Sequence, residues 1–448
     1  GIVVARPGRC LQGVVEFVDR ILVPYAAQRA QQMTDFVENS HAASVPEIGL
    51  YQFLTCCSAP PHLVVSVWSR WLGMVGTMRV AIVGAGILGT AHALEAIDRG
   101  HEVVQFEREP EARGATVRNF GLVWVSGRSR SELAATLRAR ELWERLGAQI
   151  PGIGFRPAGS LTLLRTPGEV AVAEEAASRG DAELRGFTLL EPKRVRALNP
   201  ALRGKYLAGL HCTRDAAVES RQALPAMRWY MATTRRYRFH ACTEIRSVDC
   251  TAVIDDRGRR YDADLVLICA GAAHGGLVRD IAGELPVRRV RLQMMQTEPL
   301  DEELTTAIAD GDSFRYYPGF AGPALDQLRR SESQDDIASE HRMQLLCVQR
   351  LHGGLTIGDT HEYDEPFPFD VSEAPYSYLV EAVEQFLGRT LPPIRHRWAG
   401  VYSQCVDPDQ LVCRTSPDDA VWVITGPGGR GMTLAPAIAE QTADLVGL

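Results

Sequence analysis

Hydrophobic and polar positions are most sharply ordered from residue 79 onward. Arg79-Val80-Ala81-Ile82-Val83 is an apolar, β-branched run, which predicts a strand buried on both faces of a parallel sheet. It enters Gly84-Ala85-Gly86-Ile87-Leu88-Gly89, after which residues 90–99 take up helical spacing and Gly100 supplies a C-terminal cap. His101-Glu102-Val103-Val104-Gln105-Phe106 predicts a second strand that ends at Glu107. Two further apolar runs, residues 265–268 and 421–425, each lead into small residues. Between them the spacing predicts a helix over 131–146, a strand over 160–165, and β-rich pieces at 290–297 and 345–358. Residues 328–341 are charged and weakly periodic, so they read as a mobile surface helix or loop. No internal repeat or long low-complexity linker interrupts the chain.

The first strand, glycine turn, helix and second strand make one βαβ unit around a G-x-G-x-x-G motif. Gly84 makes the tight turn, Gly86 lets backbone approach a diphosphate, and Gly89 lets helix and strand pack closely. The diphosphate then meets the positive end of the helix. Glu107 is placed to accept hydrogen bonds from ribose hydroxyls, which disfavours a 2′-phosphate. A glycine turn without a nucleotide is the alternative, and the complete flanking context weighs against it.

Composition narrows the class. The 448 residues suggest two to three domains, and 46% hydrophobic with 23% charged residues is a globular balance. A net charge of −7 argues against a general nucleic-acid binder. The clusters Arg235-Arg236-Tyr237-Arg238 and Arg288-Arg289-Val290-Arg291 read as solvated or salt-bridged surface. Lys193 and Lys205 are the only lysines. The ten cysteines have no zinc spacing. Cys242, Cys250, Cys269 and Cys347 read as small core residues, while the Cys56-Cys57 pair receives no role. No metal site, membrane span or signal peptide is expected, and the expected location is cytoplasmic. The apolar run 62–76 is too short to span, since a span needs ~20 residues. Residues 1–77 read as a leader, either upstream sequence from a misassigned start or a genuine extension.

Three separated segments resemble those of the D-amino-acid oxidase and glycine oxidase superfamily. They are Gly114-Ala115-Thr116-Val117-Arg118-Asn119-Phe120-Gly121, then Leu265-Val266-Leu267-Ile268-Cys269-Ala270-Gly271-Ala272, and Gly426-Pro427-Gly428-Gly429-Arg430-Gly431-Met432-Thr433 after the strand at 421–425. The resemblance covers residues 78–448 and implies FAD rather than NAD. Its closest likeness is to a bacterial subgroup associated with phosphonate degradation and aminophosphonate substrates. The likeness is carried by Arg118-Asn119-Phe120-Gly121-Leu122-Val123-Trp124, by residues 355–370, and by residues 426–436.

The implied fold is α/β. A Rossmann-like FAD domain of glutathione-reductase type (78–125, 215–285 and 398–448) is interleaved with an α+β substrate domain (126–214 and 286–397) built on a mixed or antiparallel sheet. The implied cofactor residues are Gly84, Gly86, Ile87, Leu88, Gly89, Glu107, Arg108, Arg118, Asn119, Gly121, Ile245, Ala270, Gly271, Gly426, Gly428, Gly429, Gly431, Met432 and Thr433.

The implied chemistry is hydride transfer from the carbon beside an amine to FAD, giving an imine that hydrolyses to an aldehyde or keto product. Superfamily amino-acid oxidases place a carboxylate-binding arginine after a Trp, in a Gly-x-Arg-Pro context. The matching stretch here is Trp398-Ala399-Gly400-Val401-Tyr402-Ser403, with Tyr402 in the arginine's place. An ordinary α-amino acid is therefore disfavoured, because a tyrosine lacks the planar fork that suits a carboxylate. The sarcosine-oxidase branch also has a tyrosine there, so an N-methylated amine stays open. That branch's flavin-linking cysteine corresponds to Gly400, implying non-covalent FAD, and its carboxylate-binding lysine corresponds to Thr433. Candidate substrate residues are Tyr402, Arg118, His361 and Arg350, with Arg414 behind them. For Arg350 and Arg414 a salt bridge is the alternative, and for His361 a structural role. Tyr316 and Tyr317 line the pocket or pack as an aromatic pair in a strand. The expected partners are a small amine and molecular oxygen, with hydrogen peroxide as product. The alternatives are a dehydrogenase serving a quinone or carrier protein, a non-catalytic flavin module, and a nicotinamide-dependent dehydrogenase. Oligomeric state is open.

Overall fold

The computed structural model describes residues 76–448. Residues 1–75 of the expected leader, with Cys56 and Cys57, lie outside the described residues. Arg79–Val83 pairs in parallel with Glu102–Phe106 on one side and with Leu265–Ile268 on the other. Val421–Thr425 and Tyr237–His240 extend this sheet in parallel, and Cys413–Asp418 closes one edge antiparallel. Alternation explains why these strands are apolar throughout. Val80, Ile82, Leu265 and Leu267 face a core shared with the helices Ile87–Asp98 and Gly431–Val446. Ala81, Val266 and Ile268 face the opposite side, covered by Ile245 and Val253 of a three-stranded antiparallel ribbon.

The second layer is an eight-stranded mixed sheet. Its order is Ile394–Cys405, Val287–Pro299, Gly354–Gly358, Leu346–Gln349, Ala307–Asp310, Ser160–Leu164, Ala208–Cys212 and Phe187–Leu190. Only the pairing of Ala307–Asp310 with Ser160–Leu164 is parallel. One face buries Leu161, Leu163, Ile308 and Ile357 against the helix Glu373–Leu387, and the other buries Ala309 and Leu210 against Pro167–Ser178. The chain passes between the two sheets several times, which is the α/β arrangement with an interleaved second layer that the sequence implied.

Several local readings are corrected. The boundary drawn at residue 398 falls inside Ile394–Cys405, whose ladder with Val287–Pro299 keeps the whole strand in the eight-stranded sheet. Residues 328–341 lie largely at the surface as helix and turn, as read from the sequence, with Leu328 and Ala338 as their buried anchors. These residues span the end of helix Pro323–Ser331 and the helix Asp336–Glu340. Two short helices with a turn between them give weak periodicity. Cys269 and Cys347 are core residues, but Cys242 and Cys250 are exposed in turns. Tyr316 and Tyr317 sit at the end of helix Asp312–Tyr316, not in a strand. In the second basic cluster, Arg289 pairs with Glu365 and Arg291 with Glu362. No described helix is long and apolar enough to cross a membrane, and no metal-binding cluster occurs among the described residues.

Candidate active site

A cleft of about 1450 Å³ runs along the carboxyl ends of the parallel strands, where ligand crevices of open α/β sheets form. At one end, Gly84 has φ +106°, and a Cβ there would lie 2.4 Å from the Cys269 carbonyl oxygen. A Cβ on Gly89 would lie 2.1 Å from the Gly84 oxygen, so this glycine serves helix–strand approach and does not line the cleft. Gly86 faces the cleft, with only Thr116 Oγ1 near its missing Cβ, at 3.4 Å. The helix Ile87–Asp98 starts without a side-chain cap. Thr116 Oγ1 accepts the Ile87 N–H at 3.0 Å, and the Leu88 and Gly89 amides have no partner among the described residues. Such an end offers donors and a positive dipole to an anion. Glu107 is held beside this loop, accepting from the Ala85 N–H at 3.0 Å and the Glu109 N–H at 3.2 Å. Arg108 and Ile245 line the same end.

Ala270 and Gly271 line the middle, where the Thr425 hydroxyl donates to the Gly271 carbonyl at 2.8 Å. Gly428, Gly429, Gly431, Met432 and Thr433 line the far part, at the uncapped start of helix Gly431–Val446. Asn119 lines the cleft and shapes its own turn, donating to Thr116 O at 2.9 Å and accepting from the Gly121 N–H at 2.6 Å. Gly121 and Gly426 do not reach the cleft. A Cβ on Gly121 would lie 2.1 Å from Val218 O, and one on Gly426 would lie 2.8 Å from Cys405 Sγ, so both are glycines of close packing.

The inner end is walled by Tyr316, Tyr317, Tyr363, Tyr402, Asp359 and His361. A Cβ on Gly429 would lie 3.8 Å from the Tyr402 hydroxyl, which ties this wall to the last glycine loop. Burial pushes the Tyr316, Tyr317 and Tyr402 hydroxyls far above their ordinary value, so they stay protonated donors. Burial likewise raises the Asp359 carboxyl, opposed by His361 and by Gln344. His361 stacks on Tyr316 at 4.2 Å, and its Nδ1 faces the Arg342 carbonyl oxygen at 2.9 Å. A carbonyl only accepts, so Nδ1 carries the proton. Nε2 lies 3.9 Å from Asp359 Oδ2.

Of the expected cations, Arg118 lines the cleft but is bound to backbone, donating to Ala399 O at 2.7 Å and Arg113 O at 3.0 Å. Arg350 is corrected to a structural residue. It is buried outside the cleft lining and donates to Thr356 Oγ1 at 3.0 Å, Val218 O at 3.1 Å and Phe120 O. Arg414 is likewise held by Thr442 Oγ1 at 2.9 Å and Ile438 O at 3.1 Å, behind the last helix.

Residues 79–445 match the sequence profile of the FAD-dependent oxidoreductase (DAO) family. The chain belongs to this family. The oxidoreductase is 24% identical over 381 residues to a glycine oxidase of Pseudomonas aeruginosa, covering 82% of this chain and 94% of that protein. It is also 24% identical over 386 residues to the tRNA 5-methylaminomethyl-2-thiouridine biosynthesis bifunctional protein MnmC of Marinobacter nauticus. That match covers 83% of this chain but only 56% of the length of MnmC. The crystal structure of glycine oxidase from Geobacillus kaustophilus superposes with a TM-score of 0.65 at 19% identity, covering 83% of this chain and 95% of that one.

Among the cleft residues to which sequence reasoning gave no role are Arg128, Gln344 and Tyr363. Arg128 and Gln344 lie outside every motif, and Tyr363 lies within residues 355–370, where nothing local marks it for the cleft. Thr433, read as the place of a lost lysine, is a brace: its Oγ1 accepts the Trp124 N–H at 2.9 Å and donates to Leu122 O at 3.2 Å. Lys193 and Lys205 are exposed and outside the cleft lining.

Proposed function

We propose that this oxidoreductase removes two electrons from the carbon beside the nitrogen of a small amine with an anionic end, an aminophosphonate being the first candidate. The observation that carries the reading is the make-up of the inner wall. Four tyrosines surround the buried Asp359–His361 pair, and Tyr402 stands where the resemblance expects a carboxylate-binding arginine. Relatives named glycine oxidase support an amino compound as substrate.

The cleft suits FAD. Two uncapped helix ends and open positions at Gly86, Gly271 and Gly429 lie along one continuous groove, with Glu107 beside the first. The Gly84–Gly89 end would hold the diphosphate and the Gly428–Thr433 end the flavin. Attachment is proposed to be non-covalent, since Gly400 offers no thiol and a Cβ there would already lie 3.3 Å from Arg118 Cβ. Bound FAD supplies a hydride acceptor. The protein's own tasks are to orient the amine, keep water from the reacting carbon and take a proton. The Asp359–His361 pair is placed to take that proton from the substrate ammonium, freeing the nitrogen lone pair. The tyrosine hydroxyls are placed to donate to the anionic end.

Molecular oxygen is the proposed acceptor, with peroxide as product. One observation favours the alternative of a dehydrogenase serving a quinone or carrier protein: no lysine lines the cleft to stabilise developing superoxide charge. Seven unpaired cysteines among the described residues support a reducing, cytoplasmic setting. The test is anaerobic bleaching of the flavin absorbance by aminophosphonates, N-methyl amines and D-amino acids. Aminophosphonates should bleach fastest, and faster bleaching by glycine or a D-amino acid would overturn the substrate reading. Peroxide yield in air, compared with turnover on an artificial acceptor, separates oxidase from dehydrogenase.

A further inference from the structure

A buried guanidinium calls for partners, and most buried arginines here have them. Arg185, Arg291 and Arg350 each set a terminal nitrogen on a carboxylate or a carbonyl. Arg128 does not. It is 6% exposed and donates only through Nε, to Trp124 O at 3.1 Å. Neither of its terminal nitrogens has a hydrogen-bond partner among the described residues. The nearby acid, Glu132, is already engaged by Arg430 and by the Ser129 N–H at 2.8 Å. Arg128 nevertheless lines the cleft, with its guanidinium carbon 5.8 Å from the centre of the Tyr317 ring.

The surrounding structure holds this free fork in place. A Cβ on Gly127 would lie 2.5 Å from the Tyr317 ring, so only glycine lets the turn rest on that ring. The Gly127 carbonyl accepts the Gly319 N–H at 3.1 Å, and Trp124, which anchors Arg128 Nε, is itself braced by Thr433. Tyr317 Oη accepts from Gln344 Nε2 at 3.0 Å, leaving its own O–H to donate. A cation held in place, with four unused N–H bonds facing the cleft beside a hydroxyl donor, is a receptor for an oxyanion.

We propose that Arg128 binds the anionic end of the substrate, its two terminal nitrogens pairing with two oxygens of a carboxylate or phosphonate. Within the reading of an anion-bearing amine, on which this rests, the cation absent at Tyr402 is supplied from the turn that carries Gly127. The ligand chemistry is an oxyanion, and planar and tetrahedral forms are separated by experiment.

The test uses the FAD-loaded full chain with two unreactive probes, acetate and methylphosphonate, followed by calorimetry and by the rise in melting temperature. Wild type should bind at least one probe, and the tighter probe identifies the oxyanion class. Arg128→Met should weaken that binding about 10- to 150-fold, the range for a hydrogen bond to a charged group. Its melting temperature without ligand should be unchanged or higher, because an unpaired buried charge has been removed. Arg128→Lys, which keeps the charge but loses the fork, should fall between the two. Equal probe binding by wild type and either variant would overturn the assignment, as would failure of wild type to bind either probe. Because the probes require no turnover, the two readings can fail separately. Probe binding through Arg128 with no amine bleaching the flavin would sink the proposed function alone. Bleaching by an anionic amine with an unchanged KM in Arg128→Met would sink this inference alone.

Discussion

Asp359 is 4% exposed, lies among tyrosine hydroxyls, and faces one histidine nitrogen. Burial raises its pKa above the ordinary 3.8, so its carboxylate holds a proton more strongly than a free one. In the proposed reaction the ionised form accepts a proton from the substrate ammonium, which leaves the neutral amine that oxidation requires. The sign follows directly. In wild type, kcat/KM should fall as pH drops through the raised Asp359 value. In Asp359→Asn the fall should begin at the amine's own pKa, higher on the scale. At pH 7 the variant should therefore lose about 100-fold, within the range for general acid–base groups, and recover as pH rises toward 10. Superimposable pH profiles would remove Asp359 from the proton path. Single residues also mark where sequence reading succeeds and fails. The placement of Gly84, Gly86 and Glu107 together at one end of the cleft was legible because spacing within one βαβ unit sets it. Arg350 and Arg128 were not, because nothing near either arginine in sequence reveals that carbonyls surround the first and nothing pairs the second.

At the scale of elements, the buried strands and the cofactor-side turns were readable because burial on two faces demands an uninterrupted apolar run. Residues 323–340 were harder to read. Helix Pro323–Ser331 buries only Leu325 and Leu328, so its apolar stripe is two residues long and its charged face dominates. The join between Arg79–Val83 and Ile87–Asp98 is the element most exposed to a single change. A Cβ on Gly89 would lie 2.1 Å from the Gly84 carbonyl oxygen and 3.3 Å from Ile82 Cγ2. Backbone is the obstacle, so helix and strand must separate. Gly89→Ala should cost about 1–3 kcal/mol, the usual range for overpacking, and should purify with less FAD because the helix end moves from its place beside Gly86. Chemical denaturation and the flavin-to-protein absorbance ratio measure the two effects. A variant with wild-type stability and full FAD content would show that this contact relaxes without consequence.

In the molecule as a whole, the interleaved chain was legible only as a consequence of resemblance, because no local pattern says that residues 160–212 and 287–405 share one sheet. That sharing matters for the cofactor. The cleft takes Val83 and Phe106 from the parallel sheet, and Leu292, Met294, Leu346 and Tyr402 from the eight-stranded one. A ligand filling it touches both layers and binds the folded state alone, so its free energy of binding adds to stability. At a thousandfold excess over its dissociation constant, that linkage amounts to about 4 kcal/mol. Protein stripped of FAD should therefore melt several degrees lower than the loaded form and regain its melting temperature on addition of FAD, in proportion to the logarithm of free FAD. NAD at the same concentration should not restore it, because it carries no flavin to meet the Gly428–Thr433 loop. Equal melting curves for stripped and loaded protein would mean that the two layers hold together without the cofactor between them, and equal rescue by NAD would mean that the inner end of the cleft contributes nothing to binding.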